Sequence, residues 1–333
     1  MPPVMQNQNC DRVPAAADSA AADPDDPNDL PLTVIEPESG WQALRLDELW
    51  RYRELLYFLA WRDVKVRYKQ TLLGAAWAML QPALMMVVFT LVLDRLAHVP
   101  SSGVPYPLFV YAGLVAWSFF ATAVAGAAQS VVNAERLVSK VYFPRLAIPL
   151  GAIAAAAVDF ILACTVLLAL MIYYQQPAGA TLLAAPVAVL LLLVAAIAFG
   201  TALAALNVAY RDVRYALPFV LQLWLFATPS IYLDTSAAAD PSTARSAATD
   251  AADRRGGERL SAGPSPQPAG AANGWNWLAI NPLDGVIAFF RATALGLPLP
   301  WRRLTYPAIV LPIALLIGCL YFRRVEDAFA DII

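Results

Sequence analysis

Six long apolar runs constrain this chain more than any other feature. They cover approximately residues 72–93, 106–132, 146–174, 182–208, 216–233 and 306–322. Each is close to the roughly 20 residues that a helix needs to cross a hydrocarbon core about 30 Å thick. Backbone N–H and C=O groups find no partner in lipid, so a run of this length is stable there only when it bonds to itself as a helix. The expected fold class is therefore an all-α integral membrane protein with six transmembrane helices.

Composition agrees: 59% of residues are hydrophobic and 14% charged, against about 25% charged in soluble domains. That excludes an ordinary soluble enzyme. The formal net charge of −2 conceals a strong segregation. Asp18, Asp23, Asp25, Asp26 and Asp29 make the N-terminal tail acidic. Arg62, Lys65, Arg67 and Lys69 precede the first run, and Arg136, Lys140 and Arg145 lie between the second and third. Arg211 and Arg214 separate the fourth from the fifth, and Arg323 and Arg324 follow the sixth. The alternate short loops carry only Arg95. Positive charge marks the cytoplasmic side, so both termini are expected to be cytoplasmic. The first apolar run begins behind a long polar tail, which predicts an uncleaved anchor rather than a cleaved leader.

Residues 1–40 are rich in Ala, Pro and Asp with hardly any aromatic side chains. Such a segment buries too little apolar area to offset its ordering entropy and is expected to be a disordered acidic tail. Residues 41–71 read as an amphipathic interface helix. At 100° per residue Leu46, Trp50, Tyr57, Trp61, Val64 and Tyr68 share a face, flanked by Arg62, Lys65 and Lys69 on one side and Asp63 and Arg67 on the other. An aromatic face with basic flanks suits anionic headgroups; a helix packed on another protein surface is the alternative.

Between the second and third runs, Asn133 can cap a short helix, Leu137 and Val141 form an i,i+4 pair, and Pro144 ends the segment. An apolar pair rimmed by Glu135, Arg136, Lys140 and Arg145 suits a plug for a partner's groove, or an ordinary basic loop. In the last outer loop, residues 235–274 are a low-complexity insertion. After Asn281-Pro282, Leu283, Val286, Ile287, Phe290 and Ala294 recur at helical spacing among Asp284 and Arg291. That segment is too short and too charged to span, which predicts a short helix at or dipping into the outer interface.

The sequence has no G-x-x-x-x-G-K-[ST] phosphate loop, G-x-S-x-G elbow or H-E-x-x-H zinc helix. Cys10, Cys164, Cys319 and the single His98 form no metal or disulfide pattern. No catalytic, cofactor or metal-binding residue is assigned. Asp159 alone is an ionisable group deep in a run, where a carboxylate costs roughly 2.5–3.5 kcal/mol on insertion scales. It reads as a paired or protonated acid at a helix–helix contact among Ala154, Ala155, Ala156 and Ala157, with a proton or substrate site as the alternative.

Several features, taken in order, carry a resemblance. They are Leu73-Gly74, Trp77 and Pro82; the run Glu135-Arg136-Leu137-Val138-Ser139-Lys140-Val141-Tyr142-Phe143-Pro144-Arg145; Asn207-Val208-Ala209-Tyr210-Arg211-Asp212-Val213; Pro229 with Ile231-Tyr232; and Asn281-Pro282. The set resembles the membrane subunit of polysaccharide-exporting ATP-binding-cassette transporters. These are the Wzm-type O-antigen permeases of the ABC type-2 family, with capsule and teichoic-acid relatives. The likeness runs from about Trp50 to the C-terminus and excludes the acidic tail and the 235–274 insertion.

The resemblance implies a six-span transmembrane domain over 72–333, an N-terminal interface helix, and a homodimer in the bacterial inner membrane. It implies a coupling helix for a separate nucleotide-binding ATPase subunit, formed by Glu135, Arg136, Leu137, Lys140, Val141, Tyr142 and Arg145. ATP would be bound by that partner, leaving this chain without a cofactor. Short outer gate helices would include Asn281, Pro282, Phe290 and Arg291. The cargo would be a lipid-linked polysaccharide, with membrane lipids as further partners and no nucleic acid. Aromatic rings suit sugars, which makes Tyr111, Trp117, Phe120, Trp224 and Tyr232 candidates for a translocation path or for a lipid-facing belt. Rival readings are a small-molecule or drug exporter of the same architecture, a proton-coupled secondary carrier, and a membrane-embedded transferase.

Overall fold

A computed structural model describes residues 50–69, 74–92, 104–138, 143–177, 179–228, 231 and 281–326. The expected tail at 1–40, the 235–274 insertion, and the candidate residues Lys140, Val141, Tyr142 and Tyr232 lie outside the described residues. Among the described residues every regular element is helical. In chain order these are α1 (Arg53–Tyr68), α2 (Ala76–Phe89), α3 (Tyr106–Asn133), α4 (Glu135–Val138) and α5 (Ala147–Tyr173). A 3-10 turn (Ala180–Ala184) then leads into α6 (Ala185–Ala209), followed by α7 (Val213–Phe226), α8 (Pro282–Leu295) and α9 (Trp301–Glu326).

Four stretches are long and apolar enough to cross a membrane: α3, α5, the 3-10 turn with α6, and α9. Two shorter apolar helices, Ala76–Val92 and α7, fall in the first and fifth runs. Large apolar side chains such as Ile161, Leu168 and Ile172 on α5, and Ile309, Ile313 and Ile317 on α9, stay exposed. Apolar surface on this scale belongs against lipid or a partner rather than water.

The core forms around α3, which packs on α2, α5, α6, α7 and α8. Lipid tails are as apolar as leucine, so helix association in a membrane depends on close packing and interhelical hydrogen bonds. Small residues supply the packing: Ala123, Ala127 and Ala128 of α3 are buried with Ala195, Ala196 and Ala204 of α6. Asn207 supplies the bond, its Nδ2 donating to the Ala128 carbonyl at 2.8 Å.

The seat of α1 corrects one expectation. Tyr52, Leu55, Leu56, Leu59, Ala60, Asp63, Val64, Arg67 and Tyr68 are buried or half-buried, a regular helical stripe. Trp50, Tyr57 and Trp61 point outward instead. The aromatic face read from the sequence is therefore split: Val64 and Tyr68 belong to the packed side, the other described aromatics to the exposed side. The docking surface is α5. A β-carbon added at Gly151 would approach the Leu59 β-carbon to 3.0 Å, and Arg67 and Tyr68 meet Asp159 the same distance further along both helices. A helix that looks amphipathic by composition thus has two usable faces, and tertiary contact selects between them.

Candidate functional site

The end of the bundle where α3 and α6 stop, α5 starts and α9 stops carries the segment expected to couple to a partner. α4 is described as a single turn, Glu135–Val138. Asn133 does not cap it, because α3 runs through Asn133 and ends at the Ala134 turn. Glu135 and Arg136 are exposed, and Leu137 is half-buried. Leu137 packs on the subunit's own cluster of Leu59, Val131, Phe143, Leu146, Val208 and Phe322. It therefore anchors α4 to the bundle, and the charged pair is what the turn presents outward.

Arg145 is likewise turned inward. Its backbone N–H donates to Glu326 Oε1 at 3.1 Å and its guanidinium donates to the Glu326 carbonyl. The guanidinium contact is a charge-assisted bond to a backbone carbonyl in the last described turn of α9. The pair fastens the start of α5 to the end of α9. Glu326 gives no sequence signal of this role, since the two residues come together only when the sixth run returns to the same end.

Asp159 is paired, in keeping with the structural reading of this residue. Arg67 and Tyr68, both at the C-terminal end of α1, donate to its carboxylate. Burial first, then the neighbouring Asp159, push the Tyr68 phenol well above its ordinary range. Tyr68 therefore remains a hydrogen-bond donor throughout the neutral range.

The aromatic candidates are packed into the subunit core. Tyr111 and Phe120 are fully buried and Trp117 is 6% exposed. The Tyr111 hydroxyl donates to the Ala163 carbonyl at 3.1 Å. Trp117, Phe120, Phe199 and Trp224 form one cluster with ring centroids 5.1–6.4 Å apart. These rings face one another across α3, α6 and α7. Their role is to fill the centre of the helix packing.

At the opposite end, α8 is buried from Leu283 to Leu295 except at Asp284. Asn281 caps it, its Oδ1 accepting from Leu283 N–H and from Trp224 Nε1, each at 3.1 Å. Its Nδ2 donates to the Ala227 carbonyl at 3.1 Å and to Thr228 Oγ1 at 2.8 Å. One side chain thus ties the N-terminus of α8 to the C-terminus of α7, and Pro282 occupies the first helical position where no N–H is needed. Phe290 packs on Phe160 at 5.7 Å, and the Arg291 guanidinium carbon lies 3.7 Å from the Phe109 ring centroid. Gly296, with φ +73°, ends the helix, as a left-handed cap that glycine adopts without strain. The sequence places a short helix here; its nearly complete burial is a finding of the tertiary structure.

The described residues contain no group of three or more His, Cys, Asp and Glu arranged to hold a metal. Their chemistry is that of ion pairs, caps and packed helices.

The chain is similar in sequence to known proteins. Residues 54–237 match the family described as ABC-2 type transporter. The O-antigen export system permease protein RfbA of Myxococcus xanthus is 36% identical over 187 residues, covering 56% of this chain and 70% of that protein. Two permeases of the same name from Klebsiella pneumoniae are 25% and 24% identical over 181 residues, each covering 54% of this chain and 69% of theirs. The family match extends from the first turn of α1 through α7, and the chain is a membrane-spanning member of the ABC-2 type transporter family.

Proposed function

We propose that this chain is the permease subunit of an exporter that moves a lipid-linked, O-antigen-like polysaccharide outward across the bacterial inner membrane. It works as a homodimer, powered by ATP hydrolysis on a separate subunit. The observation that carries this reading is the 36% identity to an O-antigen export permease across 70% of that protein's length.

Six spans suit the helices: the four long ones, together with α2 and α7 as the first and fifth. Arg136, Arg145, Arg211, Arg214, Arg323 and Arg324 gather where α3, α6 and α9 end and α5 and α7 begin, which favours that end as cytoplasmic. The exposed apolar faces of α2 and α7 are surfaces that a second copy can cover. The outer end, with α8 closing the space between α3, α6 and α9, is where a gate would act.

Coupling follows from how α4 is fastened. Leu137 seats the turn on the bundle, and Arg145 with Glu326 ties the start of α5 to the end of α9. A partner that moves Glu135 and Arg136 therefore displaces α3, α5 and α9 together. Packed helices shift as bodies rather than deforming continuously, so a motion at this end can reach the far one.

The test is charge reversal at the exposed position. Arg136→Glu should lower co-purification of the nucleotide-binding subunit and surface polysaccharide in the same cells, at unchanged permease abundance. Full partner binding and export in both Arg136→Glu and Glu135→Arg would remove α4 from this role. Leu137 is unsuitable for the test, because a charge there would also disturb the subunit's own cluster.

A further inference from the structure

A cavity of about 420 Å3 opens between α1, α2, α3 and α5. Its size lies within the roughly 300–1,000 Å3 typical of small-molecule sites. None of the residues assigned above to coupling or to the outer end lines it.

The wall from α3 carries two hydroxyls. Ser130, Thr165 and Thr201 return theirs to carbonyls of their own helices, at Ala127, Leu162 and Ile197, whereas the buried Thr90 hydroxyl of the first apolar helix has no partner among the described residues. Ser118 and Thr122, one turn apart, line the cavity and make no hydrogen bond among the described residues; the same holds for Gln81 on α2. Pro82, also in the lining, has no N–H to give the Ala78 carbonyl one turn earlier. Polar groups that face a cavity without protein partners favour an occupant that supplies both donors and acceptors.

Charge narrows the occupant. Arg67 and Asp159 line the cavity as a pair. An anion would compete with Asp159 for Arg67, and a cation would compete with Arg67 for Asp159, each weakening a pair already made. Apolar surface is present as well: Trp77, more than half exposed, Phe119 and Phe160. A purely apolar occupant would suit those rings and leave Ser118, Thr122 and Gln81 unsatisfied. Neutral ring compounds with several hydroxyls meet both conditions, since each hydroxyl donates and accepts while the ring C–H faces lie on aromatic surfaces.

We infer that the cavity between α1, α2, α3 and α5 binds a neutral sugar unit, with Ser118, Thr122 and Gln81 taking its hydroxyls and Trp77 covering a ring face. The inference rests on the export reading only for the source of that sugar, a segment of the transported glycan. The site lies within one subunit, so each copy carries its own.

The experiment uses the full chain in lipid nanodiscs with Ala78→Cys as a reporter in the cavity wall. Alkylation at that position is followed by peptide mass spectrometry. Probes are trisaccharides released from the producing cell's own surface polysaccharide, methyl glycosides of its neutral sugars, and inorganic phosphate. The sugars should slow alkylation saturably and phosphate should not. Thr122→Val and Gln81→Leu, each added to the reporter, should raise the sugar concentration for half-protection by about tenfold, and Thr122→Ser should restore it. No protection by any sugar, equal protection by phosphate, or protection unchanged in both Thr122→Val and Gln81→Leu would overturn the site. Surface polymer in cells lacking the gene is measured separately. If polymer still reaches the surface the export reading falls, while protection by methyl glycosides continues to decide the cavity.

Discussion

Helices α7 and α8 have the same length, 14 residues, and opposite surroundings. α7 buries a single stripe, Leu217, Leu221 and Leu225, and leaves Tyr215, Phe219, Val220, Leu223 and Phe226 exposed. α8 is enclosed on nearly every side although it carries Asp284 and Arg291. By apolar content α7 should be the deeper helix. Burial inside a membrane protein follows what a helix can offer its neighbours: small residues for close approach, and polar groups with partners. α8 offers Gly285, Ala288, Ala292 and the Asn281 cap; α7 offers leucines, which lipid accommodates equally well.

The sharpest way to break this contrast is at the contact of α8 with α9. A β-carbon at Gly285 would overlap the Arg303 carbonyl and the Pro307 ring. Gly285→Leu should cost about 3 kcal/mol or more and abolish a monodisperse peak in size-exclusion chromatography. A normal profile would mean that α8 can leave its seat without unfolding the subunit.

Next comes the cap. Asn281→Ala removes four hydrogen bonds at once and should lower stability by about 2–4 kcal/mol, read as thermal unfolding in nanodiscs. Trp224→Phe removes one of them and should cost about 1 kcal/mol. Equal effects would show that the indole, rather than the cap, carries the joint between the two helices.

On α7, Leu221→Ala tests the single buried stripe. It should cost about 2 kcal/mol, at the low end for a buried leucine, because α7 seals only one side of the site. The smallest effect on the fold belongs to Phe219→Ala, within about 0.5 kcal/mol. The same substitution should shift the monomer–dimer balance, measured by single-molecule photobleaching, if a second copy covers this face. A loss of subunit stability instead would place Phe219 in an internal contact.

Much of the architecture was legible from the run lengths. The apolar runs at 106–132, 146–174 and 182–208 coincide within a few residues with Tyr106–Asn133, Ala147–Tyr173 and the stretch Ala180–Ala209. The short helix after Asn281-Pro282 was legible too, because an N-cap and a proline at the first helical position are local signals. The candidate residues fared differently. Arg145 and Leu137 read as a surface rim and plug, yet both are engaged by their own subunit. Tyr111, Trp117 and Phe120 were legible as aromatic, but not as inward-facing, because α3 is apolar on every side and shows no preferred face. A helix surrounded by protein and a helix surrounded by lipid have the same composition.

What the sequence determined by itself is the set of helices, their charge-marked ends and the absence of a phosphate loop. These depend on backbone hydrogen bonding and on residues near one another in the chain. Tertiary structure alone decided which helix becomes the core, which face of α1 docks, and that Asp159 meets Arg67 and Tyr68. Inside a membrane the solvent no longer separates buried from exposed apolar groups. The choice passes to steric fit and to polar groups that find one another across distant segments, and neither leaves a periodic trace along the chain.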